Sequence, residues 1–257
     1  MLNNSLKILL FGFFVCHLSF SSYSFSATQK IELIEQNWPF GGIFGRFDKS
    51  SLQRGFQVYR EVCAGCHGIR HIAYRDLFEL GYSSDEVKSI ATEYEVIDGP
   101  NDEGEMFTRF ARASDKFVGP YLNEKEARVA NGGAYPPDLS LIVKARSGGA
   151  DYLYSLLNGY KEFPEDFEAS DGMYYNEFYP GKQIAMPSPI MDDIVEYEDG
   201  TEASHAQIAR DVTSFLAWTS EPELEERKSL GVKTIFFLVI LSIMLLGVKR
   251  KIWKDLE

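Results

Sequence analysis

Cys63-Ala64-Gly65-Cys66-His67 sets two thiols three residues apart with a histidine directly after the second. This is the spacing at which a polypeptide holds a c-type haem. The two sulfurs must reach the two vinyl groups on one porphyrin edge, while the adjoining imidazole turns beneath the iron as its proximal ligand. A thioredoxin-like Cys-x-x-Cys needs a βαβ setting and has no use for the histidine, and a structural zinc site needs a fourth ligand at comparable spacing. Neither pattern surrounds residues 63–67. The remaining cysteine, Cys16, lies in an N-terminal leader, so no thiol is left for a disulfide framework or a second haem.

Outward from the motif, helical patterning dominates. Residues 48–62 place Leu52, Phe56, Tyr59 and Val62 three and four apart, with Asp48 or Ser50 able to cap, so the thiols close an amphipathic helix. Residues 84–94 carry a serine cap and early acids. Asn123 with Glu126 forms a capping-box pattern that Gly132 ends near Asn131, and residues 151–158 stop at Gly159. The clearest pattern covers residues 204–218, with Ile208, Val212, Phe215 and Leu216 on one face and Arg210 and Asp211 off it. Residues 163–189 show no sustained period, and a loop of that length in a compact domain is expected to serve function. A haem would offer the apolar surface on which Tyr174, Tyr175, Phe178 and Tyr179 could pack.

The second axial ligand decides what the iron can do. A methionine thioether fills the last position and leaves none for oxygen or peroxide. Met106, Met173, Met186, Met191 and Met244 are available, the last inside an apolar run. Met186 is the best placed, since Pro187 and Pro189 stiffen the backbone around it and it precedes the last helix of the domain; Met191 remains its rival. His71 follows His67 by four residues and on a helix would share its face, unable to reach the far side of a porphyrin. His205 opens the residue 204–218 helix and is expected to face water.

The two ends differ in kind. Lys7, an apolar run over residues 8–18 and small or polar residues through Ser26 read as a secretory signal peptide cleaved before Ala27. Phe14-Val15-Cys16 lacks the small residue that precedes a lipidated cysteine. Residues 230–248 are apolar except for Lys233, which can snorkel, and are followed by Lys249, Arg250, Lys251, Trp253 and Lys254. That flank predicts one spanning helix beginning near Glu223 with its C-terminus in the cytoplasm. The expected organisation is a signal peptide over residues 1–26, a periplasmic haem domain over 27–222, and an anchor with a short tail over 223–257.

Net charge is −12 overall, of which the leader contributes +1 and the segment from Lys233 onward +3, leaving −16 for residues 27–232. Acids cluster over residues 93–105, 162–171, 192–202 and 221–226. Such a field repels nucleic acid and anionic lipid and steers a basic protein toward the surface.

Arg54-Gly55-Phe56-Gln57-Val58-Tyr59 before the haem motif, Ala73-Tyr74-Arg75 after it, Asp98-Gly99-Pro100-Asn101, Pro136-Pro137-Asp138-Leu139-Ser140 and Ala185-Met186-Pro187 together resemble the cytochrome c1 family of the bc1 complex. The likeness spans nearly the whole chain after the leader. It implies an all-α, class I cytochrome c-like haem domain with long loop insertions and one C-terminal transmembrane helix. It implies one covalently bound haem c with Met186, not Met191, as the sixth ligand opposite His67. Arg146 and Tyr152 resemble the partners of a haem propionate, and Asn131 falls at a position near the haem. The implied partners are cytochrome b and a Rieske iron-sulfur subunit in a dimeric complex, with a cytochrome c as electron acceptor. The implied place is the bacterial inner membrane, with quinol chemistry left to other subunits. The extra disulfide of certain bacterial members cannot form here, because no spare cysteine follows the leader. A free-standing anchored cytochrome feeding a terminal oxidase is the first alternative, and a haem sensor or peroxidase with an open iron position the second.

Overall fold

A computed structural model describes residues 31–254, so the expected signal peptide over residues 1–26 lies outside the described residues. Two compact units are defined, Met1–Glu32, of which only residues 31 and 32 are described, and Leu33–Glu257, which holds every helix and strand among the described residues.

The scaffold is mainly helical. Helix α1 spans Lys49–Val58, capped by Asp48, whose side chain accepts from the Ser50 amide. It runs on without a break into a π-helical turn, Tyr59–Cys63, closed by Ala64 N donating to Tyr59 O at 2.8 Å. Cys63, the first thiol of the motif, therefore ends a helix, as its sequence pattern predicts, but a widened one. Helix α2 (Ser84–Thr92) has a full capping box from Ser83 and Glu86, and α3 (Glu124–Ala130) is capped by Asn123. Helices α4 (Ile142–Ala145) and α5 (Gly149–Asn158) follow, then α6 (His205–Ser220), capped by Ser204. Each such polar cap supplies a partner for an otherwise orphaned amide and contributes about 1 kcal/mol.

A 3₁₀-helix over Tyr74–Leu80 escapes an α-period reading. Its buried residues are Tyr74, Leu77 and Leu80, a spacing of three that matches three residues per turn. The expectation of purely helical structure also needs correction in detail. Strands β1 (Glu95–Asp98) and β2 (Phe107–Phe110) pair antiparallel with Glu95 opposite Phe110, and the long loop contains β3 (Tyr174–Tyr175) paired with β4 (Gln183–Ile184). These ribbons have two to four residues per strand, too few to impose an alternating pattern on the sequence.

The core forms where α1 crosses α6. Phe56 and Tyr59 meet Phe215 at ring separations of 5.5 and 5.7 Å, and Phe215 meets Trp218 at 5.7 Å. The crossing is close because residue 55 is glycine: a Cβ there would lie 2.1 Å from the Asp211 carbonyl oxygen. Helix α6 is consequently buried on more than one face, and the expectation that Asp211 lies off the packed face is wrong. Asp211 has no solvent exposure, held by Ser51, Arg54 and Gln207. A periodicity reading sees one apolar stripe and cannot anticipate a second neighbour that offers polar partners.

Helix α7, Leu224–Trp253, has 30 residues, a length of about 45 Å at 1.5 Å per residue. Its apolar window has a mean hydropathy of 2.4 and none of it is buried within the protein, so α7 is long and apolar enough to cross a membrane.

Candidate haem site

The π turn delivers Cys63, and the motif then folds back on that residue's carbonyl, which accepts from Cys66 N (3.1 Å) and His67 N (2.9 Å). Cys63 is half-buried and Cys66 exposed. Burial, with a smaller contribution from Cys66, pushes the Cys63 thiol up to about 12. Among the described residues no group of three or more His, Cys, Asp or Glu side chains could hold a bare metal ion, so zinc finds no ligand set at Cys63 and Cys66.

His67 is half-buried, with Nδ1 2.7 Å from the Pro137 carbonyl oxygen. That oxygen can only accept, so Nδ1 carries the proton and Nε2 presents its lone pair, the arrangement a metal-ligating imidazole requires. Burial lowers the pKa of His67, against smaller opposing effects of the Pro137 hydrogen bond and the Asp138 charge, and so favours the neutral ring. Tyr59 Oη donates to the His67 carbonyl at 3.1 Å, tying the motif back to α1.

Residues 136–140 lie alongside residues 67–71 as a clamp. Leu139 N donates to Gly68 O (2.8 Å), and Asp138 Oδ2 accepts from Arg70 N (3.0 Å) and Nε (3.2 Å). Asp138 Oδ1 accepts from Ser140 N (3.0 Å), and His71 N donates to Ser140 Oγ (3.1 Å). The clamp replaces the helix on which His71 would have shared a face with His67; residues 67–72 are not helical, and the His71 side chain is exposed.

Asn131 caps α3 and donates through Nδ2 to Tyr121 Oη (2.9 Å) and Ala127 O (2.7 Å), while Tyr121 Oη lies 3.5 Å from the Gly65 carbonyl inside the motif. One phenol thus links Asn131 to the cysteine turn. Arg146 and Tyr152 are also brought together: burial raises the pKa of the Tyr152 phenol, and the Arg146 guanidinium opposes it by charge and hydrogen bond.

Met186 is half-buried and packs against the main core, and its carbonyl accepts from Tyr160 Oη at 3.1 Å. Met191 and Met106 are each 61 % exposed. Tyr160 in turn lies close enough to Tyr152 for the two phenols to interact electrostatically. Two clusters result, one of Cys63, Cys66, His67 and Asn131, the other of Arg146, Tyr152 and Met186. Among the described residues no hydrogen bond runs between them. His205 departs from expectation: it is half-buried, with Nε2 3.0 Å from the Leu157 carbonyl, because the start of α6 packs on the end of α5.

Three participants have no site role legible in the sequence, although Pro137 falls within the Pro136–Ser140 stretch. The Pro137 carbonyl is backbone, and Tyr121 and Tyr160 are two of 14 tyrosines with no motif to single them out. The donor set fits a covalently held haem: two thiols and an oriented neutral imidazole on one side, a half-buried thioether elsewhere, and an arginine–tyrosine pair suited to a carboxylate.

A mainly helical domain carrying Cys-x-x-Cys-His with its histidine fixed by a carbonyl falls among the c-type cytochromes. The chain matches the Cytochrome C1 family over residues 38–256 and belongs to that family. It is 49 % identical over 242 residues to "Cytochrome c1 1, heme protein, mitochondrial" of Arabidopsis thaliana, covering 93 % of this chain and 79 % of that protein. It is 47 % identical over 243 residues to "Cytochrome c1" of Rhodospirillum rubrum, covering 88 % and 89 %. It is also 50 % identical over 222 residues to "Cytochrome b-c1 complex catalytic subunit, mitochondrial" of Candida albicans, covering 86 % and 77 %.

Proposed function

We propose that this chain is the haem-carrying electron-transfer subunit of a quinol-cytochrome c oxidoreductase. Haem c is its cofactor; Cys63 and Cys66 would hold it covalently, and His67 and Met186 would ligate its iron. Arg146 and Tyr152 hold a propionate, and Asn131 steadies the cysteine turn through Tyr121. Bound in this way the haem would supply one-electron transfer chemistry. A Rieske iron-sulfur subunit gives it an electron and a cytochrome c takes it away, with cytochrome b as the membrane partner in a dimeric complex. The chain has no catalysis of its own at quinol. Its haem domain, over residues 27–222 and of class I cytochrome c type, stands in the bacterial periplasm. The segment over residues 223–257 crosses the inner membrane once, with the C-terminus in the cytoplasm.

The observation that carries this reading is the 2.7 Å contact of His67 Nδ1 with the Pro137 carbonyl, which leaves Nε2 for iron next to two thiols at haem spacing. Family membership supports the assembly. Extraction in mild detergent is expected to bring down a dihaem cytochrome b and a Rieske protein with this chain. Recovery of the chain alone would sink the assembly and favour an anchored cytochrome serving a terminal oxidase.

A further inference from the structure

Residues 33–47 form a strap that runs from the haem domain to the base of α7. Trp38 Nε1 donates to Asp151 Oδ1 on α5 (2.7 Å), and Arg210 on α6 donates to Gln36 Oε1 and Asn37 O (both 2.8 Å). At the far end Phe47 N donates to Glu225 Oε1 (2.9 Å). Three residues further along α7, about 4.5 Å nearer its apolar run, Lys228 Nζ donates to both Phe40 O (2.7 Å) and Gly45 O (3.3 Å).

One ammonium therefore pins both ends of the loop Gly41-Gly42-Ile43-Phe44. Gly41 N donates to Trp38 O (2.9 Å) and Arg46 N to Pro39 O (3.0 Å), which close it further. Residue 45 must be glycine, since a Cβ there would meet the Gly41 carbonyl oxygen at 1.8 Å. Phe40 backs the loop between Trp38 and Phe47, at ring separations of 5.4 and 5.0 Å. Despite this fixed backbone, the two large apolar side chains at the tip point outward: Phe44 is 83 % exposed and Ile43 68 %. A loop that is held rigid while presenting Ile and Phe to the outside is built to meet an apolar surface.

The position names that surface. Lys228 lies two residues before the apolar run over residues 230–248, none of which is buried within the protein, so the tip stands beside the point where α7 becomes lipid-like. We infer that Ile43 and Phe44 insert into the headgroup and acyl-chain boundary of the bilayer that α7 crosses, giving the haem domain a second foothold on the membrane. The inference rests on α7 spanning a membrane. One helix alone lets the domain tilt and swivel; a second contact about the base of that helix fixes the height and facing of the domain. Exposed Arg46, two residues after Phe44, suits the phosphate layer.

The test is a nitroxide at Phe44→Cys, repeated at Ile43→Cys, in the chain with its haem, in the intact assembly reconstituted into phosphatidylcholine vesicles. Collision with oxygen, which concentrates in lipid, is compared with collision with a hydrophilic nickel chelate. Labels at Ile240→Cys on α7 and Leu122→Cys on the domain surface report lipid and water. The expected result is a several-fold preference for oxygen at 43 and 44, as at 240 and opposite to 122. Nickel access at 44 equal to that at 122, with 240 still lipid-like, overturns the insertion alone. Loss of access to both reagents at 44 overturns it in favour of a protein subunit covering the loop. Water-like behaviour at 240 removes the spanning helix and the insertion together.

Discussion

The guanidinium of Arg54 grips the carboxylate of Asp211 at two points, Nε to Oδ2 at 2.8 Å and Nη2 to Oδ1 at 3.1 Å, across the contact of α1 with α6. Ser51 Oγ (2.6 Å) and Gln207 Nε2 (2.9 Å) occupy the remaining acceptor sites of a carboxylate with no solvent exposure. A pair of this kind adds little net stability against an apolar replacement, yet loss of one member strands the other. Asp211→Ala is expected to lower the unfolding free energy by about 3–5 kcal/mol, measured by denaturant titration. The double replacement Arg54→Met with Asp211→Leu should cost less than Asp211→Ala alone. Unchanged stability of Asp211→Ala would show that the fork does not hold the helices.

Gly55→Ala tests the same crossing by steric means. The added methyl meets the Asp211 carbonyl at 2.1 Å and the Phe215 Cβ at 2.7 Å, and backbone cannot swing aside as a side chain can. The helices must separate, at a cost of about 1–3 kcal/mol or more. Because α1 leads directly into Cys63, the yield of protein with attached haem should fall as well, read from haem staining against total protein.

Asp138 gives the clamp on His67 a pH dependence. Burial works against its ionisation, but hydrogen bonds from Arg70 and Ser140 outweigh that and hold its carboxyl below the ordinary aspartate value. A folded pKa below the unfolded one means that the contribution is complete above the ordinary carboxylate range and is lost as pH falls through the depressed value. Wild type should therefore lose melting temperature as pH falls through the ordinary carboxylate range and below it, and Asp138→Asn should lose less over the same descent. Parallel curves for the two proteins would rule out this group as a source of acid sensitivity.

Met186→Ala is expected to open the iron to added ligands, lower the reduction potential and abolish the iron-to-sulfur charge-transfer band of the oxidised protein. Met191→Ala, at an exposed position, should leave all three as they are. The opposite pattern would transfer the ligand role to Met191.

The acidic surface predicts that electron transfer to a basic cytochrome c slows as salt is added, since the screening length falls to about 10 Å at 0.1 M ionic strength. Stopped-flow association rates that ignore ionic strength would remove electrostatic steering from the account.

Much of the site is legible in one dimension. Cys63, Cys66 and His67 are adjacent in sequence, so covalent chemistry alone sets their spacing, and Asp48, Ser83 and Asn123 cap the helices their side chains predict. The apolar run of α7 needs no tertiary partner to be recognised, because its length and composition are enough and none of it is buried within the protein. Signals of this kind are local and need no knowledge of distant neighbours.

The rest depends on segments far apart in the chain. Pro137 reaches His67 across 70 residues, and a backbone carbonyl leaves no trace in side-chain identity. Asp211 looks like a surface residue on an amphipathic helix, and only the approach of Gly55, Ser51 and Arg54 makes its burial tolerable. His205 likewise gains its carbonyl partner from α5, 48 residues earlier. The sequence by itself determined which chemistry the chain can attach, the caps of α1, α2 and α3, and that its last helix is long and apolar enough for a membrane. Only the tertiary structure decided which ring nitrogen of His67 is free, which polar groups are buried, and that an apolar loop stands at the foot of that helix. Those outcomes arise from pairings between distant residues, whose energies have no local signature.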